Sequence, residues 1–244
     1  MPVTIKKTKT FKAELPPGRL FESEPLVSGL SVSNRAARTP IGWITDASPS
    51  MTGFTEAQLQ SAKSMVVELR QLPSTSRSVM MNIVQIGTPP MATGFGEIAE
   101  FQVPGLHVVQ STPLHSALER MTKDLGELCS DLRSQGIERS ESVVILTTDG
   151  FANDAGPEQL EDSIRKFLDL GKKWSVTNIV VGVGSRLNEP LLKRLANSIP
   201  PLQIQELNAA LLIPFIQKIA VQVSQSRRGQ NIELDLPDGI KPIE

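Results

Sequence analysis

The chain has 244 residues, of which 39% are hydrophobic and 21% charged, with a formal net charge of −1. That is enough for one sizeable α/β domain and too apolar for wholesale disorder. The near-zero charge, with 4% aromatics and no tyrosine, excludes the basic, stacking footprint of a nucleic-acid binder or the basic patch of an anionic-membrane binder.

One cysteine, Cys129, precludes an internal disulfide framework and any CxxC motif, and it falls on the apolar stripe of a helical pattern. No stretch approaches the ~20 apolar residues that span a bilayer, and MPVTIKKTKTFKAEL lacks the apolar run of a signal peptide. A reducing, bacterial-type cytoplasm is the expected location.

Residues 1–35 carry Pro16, Pro17, Gly18, Pro25 and Gly29 without a sustained period, and predict an extended arm. A domain over 36–228 and a tail over 229–244 follow. IGWITDA (41–47) reads as a buried strand, and EAQLQSAKSMVVELR (56–70) as a helix with Thr55 and Gln58 as its capping box. SVMMNIVQIG (78–87) predicts a second strand and EIAEFQV (97–103) a short edge strand. The long helix after Pro113 places Leu114, Leu118, Met121, Leu125, Leu128 and Leu132 on one face.

SVVILTTDG (142–150) is the clearest buried strand. After it come a helix near 157–171 stopped by Gly171, a strand over 176–184, a short helix near 189–197 and a brief strand near 202–206. A closing helix is expected near 210–225. In the tail, Ile232, Leu234 and Leu236 alternate as in an edge strand packed on the domain, with the N-terminal arm as its candidate neighbour; a partner-docking segment is the alternative. Strands separated by helices of this length imply an α/β fold: a doubly wound, mostly parallel sheet of about six strands with helices on both faces. Such sheets bind ligands beyond the carboxyl ends of their strands.

The informative residues fall there. Asp46, Ser48 and Ser50 alternate after the first strand, Asp149 follows the central one, and Ser111-Thr112-Pro113 precedes the long helix. Carboxylate and hydroxyl oxygens are hard ligands suited to Mg²⁺, Mn²⁺ or Ca²⁺. Each piece alone reads equally as turn or cap chemistry; three in order at successive strand ends predict a divalent-cation site.

DASPSM, STPL and TTDG together resemble the metal-ion-dependent adhesion site of von Willebrand factor A (VWA) domains, over roughly residues 38–228. Within that family the chain resembles stand-alone bacterial proteins associated with tellurium resistance and stress response, through its closing segment FIQKIAVQVSQSRR. The resemblance implies a Rossmann-like fold and one divalent cation, Mg²⁺ first, with Ser48 and Ser50 as direct ligands. Thr112 would bind directly or through water. Asp46 and Asp149 would act directly or through bridging waters, with Asp46 also accepting backbone hydrogen bonds. It further implies a protein partner that supplies an acidic side chain to the open position, no catalysis, and a place in a stress-response complex. Pro49 stands where the family often has glycine, which puts the fine geometry of that loop in question.

Two alternatives remain open. One is a metal-stabilised scaffold that docks partners through its terminal arms. The other is a metal-dependent phosphohydrolase, disfavoured because the position two after Asp46, where haloacid-dehalogenase-type sites carry a general acid, is Ser48. GFGEIA (94–99) and GVG (182–184) are loop glycines rather than nucleotide-binding fingerprints. His107, in a strand-like LHVV context, and His115 are too few for a histidine metal centre; His115 reads first as a solvated helix residue and second, being near Thr112, as lining the binding surface. Trp43 and Trp174 read as packing residues.

Overall fold

The computed structural model describes residues 10–13, 37–87, 89–108, 112–152, 156–205, 232–236 and 239–243. Its elements in chain order are β1 (Thr10–Ala13), β2 (Thr39–Thr45), a 3-10 turn (Pro49–Met51), α1 (Thr52–Gln71), α2 (Pro73–Ser78), β3 (Val79–Gln85), β4 (Met91–Ala92), β5 (Gly96–Glu97) and α3 (Leu114–Ser134). They continue with β6 (Ser142–Thr148), α4 (Pro157–Trp174), β7 (Val176–Val183), α5 (Glu189–Leu195), β8 (Leu202–Ile204), β9 (Ile232–Asp235) and β10 (Ile240–Pro242).

The apolar runs become strands because both of their faces are covered. Every residue of β2, β6 and β7 is buried, the pattern of a parallel sheet sandwiched between helices. β3, β2, β6, β7 and β8 lie side by side and parallel. The full sheet has eight strands in the order β10-β8-β7-β6-β2-β3-β4, with β5 also on β3. The excess over the expected six comes from antiparallel edge pieces: two-residue β4 and β5 against β3, and β10 against β8. The strand expected over 97–103 is reduced to its first residue, because Ile98 and Phe101 reach the core from a turn instead.

α1 packs Phe54, Met65, Val66 and Leu69 against Trp43 and Ile145 on one face. α3, α4 and α5 cover the other, with Leu118, Met121, Phe167 and Leu192 against Ile44, Val144 and Val180. Burial of each such side chain contributes about 1.5–3 kcal/mol. α3 lies close over β2 at Gly42, where a Cβ would meet Met121 Sδ at 2.7 Å. The connection from β2 thus leads to one face and that from the adjacent β6 to the other, so a crevice opens between their carboxyl ends.

Some helix limits differ from expectation. α1 starts four residues early, so Thr55 and Gln58 sit inside it: Thr55 Oγ1 donates to the Met51 carbonyl, and Gln58 points into the core. α4 runs past Gly171, which is buried inside it, and ends at Trp174, where Ser175 turns the chain with φ 51°. Cys129 is buried on α3. The tail forms two short strands: β9 pairs with β1 of the N-terminal arm in a separate two-stranded sheet, and β10 extends the main sheet. The closing helix expected near 210–225, and Ser111, lie outside the described residues. No helix among the described residues is long and apolar enough to cross a membrane.

Candidate metal centre

Asp46 is the first residue beyond β2, and its backbone N–H donates to the Thr147 carbonyl of β6 at 3.0 Å. Its carboxylate is fully buried. Oδ1 accepts from the Ser48 backbone N–H at 2.9 Å and Oδ2 from the Thr148 hydroxyl at 2.7 Å. Burial pushes the Asp46 carboxyl above its ordinary value; these hydrogen bonds pull the other way, and the Asp149 charge adds to the rise. Among the described residues no cationic side chain offsets it.

Ser48 is extended, as the residue before a proline must be, and Pro49 opens the 3-10 turn, where a missing N–H leaves no bond unmade. The proline therefore fits this loop. The turn brings the Ser48 and Ser50 hydroxyl oxygens to 3.0 Å, with Ser48 buried and Ser50 open to solvent.

Asp149 follows β6 in the same way. Its Oδ1 accepts from the Phe151 N–H at 3.0 Å, and Gly150 turns with φ +83°, a conformation that favours glycine, against Asn188, where a Cβ would crowd the Asn188 Cβ at 3.1 Å and carbonyl oxygen at 3.3 Å. Thr112, buried, lies two residues before α3. α3 runs back antiparallel between the parallel β3 and β6, so its start lies at the carboxyl edge of the sheet. Asp46, Ser48, Ser50, Thr112 and Asp149 all stand at that edge.

Three further residues support this edge without being among the predicted ligands, Thr148 from within the TTDG run itself. Thr148 donates to Asp46 and accepts from the Gly150 N–H at 3.0 Å. Asn188 caps α5, and holds the Asp149 turn through its N–H to the Asp149 carbonyl and its Nδ2 to the Gly150 carbonyl. Asn188 followed by Glu189-Pro190 is a helix-start signature that points to the cap. Gln58 donates from Nε2 to the Asp46 carbonyl at 2.9 Å. The histidines stand apart in character. His115 is buried in the first turn of α3 rather than solvated, and His107 is exposed in a loop, not a strand, held by backbone contacts to Gln85.

The donors fit a hard divalent cation. Among the described residues no three His, Cys, Asp or Glu side chains are grouped to hold a metal, so an ion here draws on hydroxyls beside the two carboxylates. Neighbouring ligands on an octahedral Mg²⁺ at 2.0–2.1 Å stand about 2.8–3.0 Å apart, and the two serine hydroxyls, hydrogen-bonded to each other at 3.0 Å, already stand at the upper end of that range.

A doubly wound sheet with oxygen donors at its switch point defines a class of α/β domain, and solved structures of that class match this chain. A von Willebrand factor type A protein from Catenulispora acidiphila matches at 16% identity with a TM-score of 0.57, over 78% of this chain and 43% of its own. The pilus adhesin SpaC from Lactobacillus rhamnosus GG matches at 11% and 0.59, over 76% and 30%. Proximal thread matrix protein 1 from the mussel byssus, in a structure described as having a zinc-occupied MIDAS motif, matches at 17% and 0.51, over 77% and 48%. The chain therefore has the Rossmann-like α/β fold of VWA domains, and it spans less than half the length of each of these structures. No family model matches the sequence, and no curated protein does.

Proposed function

We propose that the chain is a divalent-metal-dependent protein-binding module whose ion is held by Asp46, Ser48, Ser50, Thr112 and Asp149. The observation that carries this reading is the pair of serine hydroxyls at octahedral-edge spacing beside a buried carboxylate held only by neutral donors among the described residues. Ser48 and Ser50 bind directly. Asp46 already accepts one hydrogen bond at each oxygen, which suits contact through water. With few direct carboxylates the ion keeps much of its charge, and it draws an acidic side chain from the partner into its open position. Mg²⁺, Mn²⁺ and Ca²⁺ suit this oxygen set better than zinc, although the byssus neighbour is described with zinc.

A protein partner is supported by where apolar surface is left exposed: of the four large apolar side chains exposed among the described residues, all but Val67 on α1 lie near the site. Met91 pairs with the last residue of β3, Val108 follows the loop held by Gln85, and Phe151 follows the Asp149 turn; they are 43%, 56% and 49% exposed, all at the carboxyl edge. Apolar and aromatic side chains around a polar anchor are typical of interface centres.

The role is binding without catalysis, with Ser48 where a phosphotransferase would carry its second acid. The resemblance to tellurium-resistance proteins suggests a stress complex as the setting; the structural neighbours named above lend it no support, and the metal reading does not depend on it. The scaffold alternative draws on one observation, the pairing of β1 with β9, which joins the two terminal segments into a ribbon.

Isothermal titration calorimetry with Mg²⁺, Mn²⁺, Ca²⁺ and Zn²⁺ tests the ion, and capture of partners with and without EDTA tests the role. Wild type should bind one ion and retain a partner only when it is loaded; Ser48→Ala with Ser50→Ala should lose both. A partner that survives those substitutions would favour docking through the arms. Metal-dependent hydrolysis of phosphate esters by the purified protein would overturn the non-catalytic reading.

A further inference from the structure

Gln58 is a polar residue in the middle of an apolar helix face, fully buried beside Phe54, Ala62 and Met65. Its amide is oriented by three partners. Oε1 accepts from the hydroxyls of Thr45 in β2 and Thr147 in β6, each at 2.5 Å, while Nε2 donates to the Asp46 carbonyl at 2.9 Å. Trp43 Nε1–H donates to the same Thr147 hydroxyl at 3.2 Å. A run of donors thus passes from Trp43 through Thr147 to Gln58 and ends on the peptide whose side chain enters the metal site.

Burying an amide in a core is costly unless it is satisfied, and a methionine of similar shape would fill this space without that cost. What the amide adds is a fixed relation between α1 and two strand ends. The segment with Ser48 and Ser50 is held at one end by Asp46 and at the other by the start of α1. Gln58 ties those two ends together.

We propose that Gln58 is a positioning residue of the metal centre: it holds the Asp46 peptide against α1, so that the Ser48 and Ser50 hydroxyls keep their spacing. This rests on the metal reading above. Residues that orient a ligand from behind typically change metal affinity by about 10–100-fold when replaced.

The test uses the whole chain, Mg²⁺ calorimetry and thermal unfolding in EDTA on three variants. Gln58→Met should weaken Mg²⁺ binding by about tenfold or more. Ser61→Ala is the control: Ser61 is equally buried on α1, but among the described residues its hydroxyl bonds only to the Ala57 carbonyl in its own helix. It should leave Mg²⁺ affinity unchanged. Thr45→Val removes one donor to Oε1 while leaving Nε2 in place, and should cause a smaller loss; if Gln58→Met does not fold, unchanged affinity in this variant overturns the role. Gln58→Met with wild-type affinity and only a lower unfolding temperature would overturn this role alone. Wild type without Mg²⁺ affinity would overturn both this role and the metal reading.

Discussion

Asp46 is a carboxylate shut away from water, with hydrogen bonds at both oxygens, a second acid nearby and no cation among the described residues to balance it. Burial raises its pKa, so the folded metal-free chain holds a proton more tightly than the unfolded one does. Its ionisation therefore costs stability as pH rises from the unfolded value through the folded one, and the cost is complete above the latter. Asp46→Asn, nearly isosteric, should raise the unfolding temperature in EDTA by about 2–4 °C for each kcal/mol of penalty removed. It should also abolish any rise on adding Mg²⁺. Protons and the ion compete for this carboxylate, so the Mg²⁺-dependent rise in wild type should shrink as pH falls through the folded pKa; differential scanning fluorimetry across pH reads both effects. Cys129, by contrast, is buried with its thiol pushed up by that burial, and should react with a disulfide reagent only on unfolding.

The donors at this scale were legible because their chemistry lies in short contiguous runs, DASPSM and TTDG, each placed after an apolar strand. Gln58 and Asn188, and the part Thr148 plays within its run, were not, because these roles come from partners brought together by the fold: Thr148 reaches Asp46 across 102 residues, and Asn188 reaches Gly150 across 38. Gln58 was misread as a cap because a Thr-x-x-Gln spacing has the same appearance whether it starts a helix or lies one turn inside it.

Among the elements, α3 packs close over β2 beside the site. Gly42 allows the approach, with Met121 Sδ and Cε at 2.7 and 2.9 Å and Val144 Cγ2 at 3.3 Å from where its Cβ would stand. Met121 is flexible enough to yield to one added methyl, but not easily to a branched side chain in a fully buried place. Gly42→Val should therefore cost about 1–3 kcal/mol by overpacking, a fall in unfolding midpoint that urea titration measures. A neutral result would mean that α3 has slack over the sheet. The strands were readable as continuous apolar runs, and α3 as spacings of three and four. The stretch 97–103 was not, since Ile98 and Phe101 are apolar at core positions without forming a strand. Apolar content marks burial before it marks conformation.

For the whole molecule, the strand order rests on which face each connection takes, and that follows from right-handed crossovers rather than from any one segment. The tail was legible in part: its alternation pointed to a strand beside the N-terminal arm, but not to the separate sheet those two form. The alternating Ile232 and Leu234 fall in β9, paired away from the main sheet with β1, whereas the less patterned Ile240–Pro242 extends the main sheet beside β8. Leu236, Ile240 and Ile243 are all buried in the two cores. Deleting residues 239–244 removes two buried isoleucines, and should cost about 3–6 kcal/mol while baring the edge of β8 to self-association. Thermal unfolding and size-exclusion chromatography of the truncated chain check the two effects; an unchanged midpoint would mean that the tail is dispensable.

The central claim is that the sheet's carboxyl edge holds a divalent cation on serine hydroxyls. The most direct test is thermal unfolding in EDTA and in millimolar Mg²⁺, for wild type and for Ser48→Ala with Ser50→Ala. An ion at 100 times its dissociation constant stabilises by about 2.7 kcal/mol, roughly 5–10 °C for a domain of this size. The account predicts that rise in wild type and its loss in the double variant. An equal rise in both, or none in wild type at saturating Mg²⁺, would contradict it.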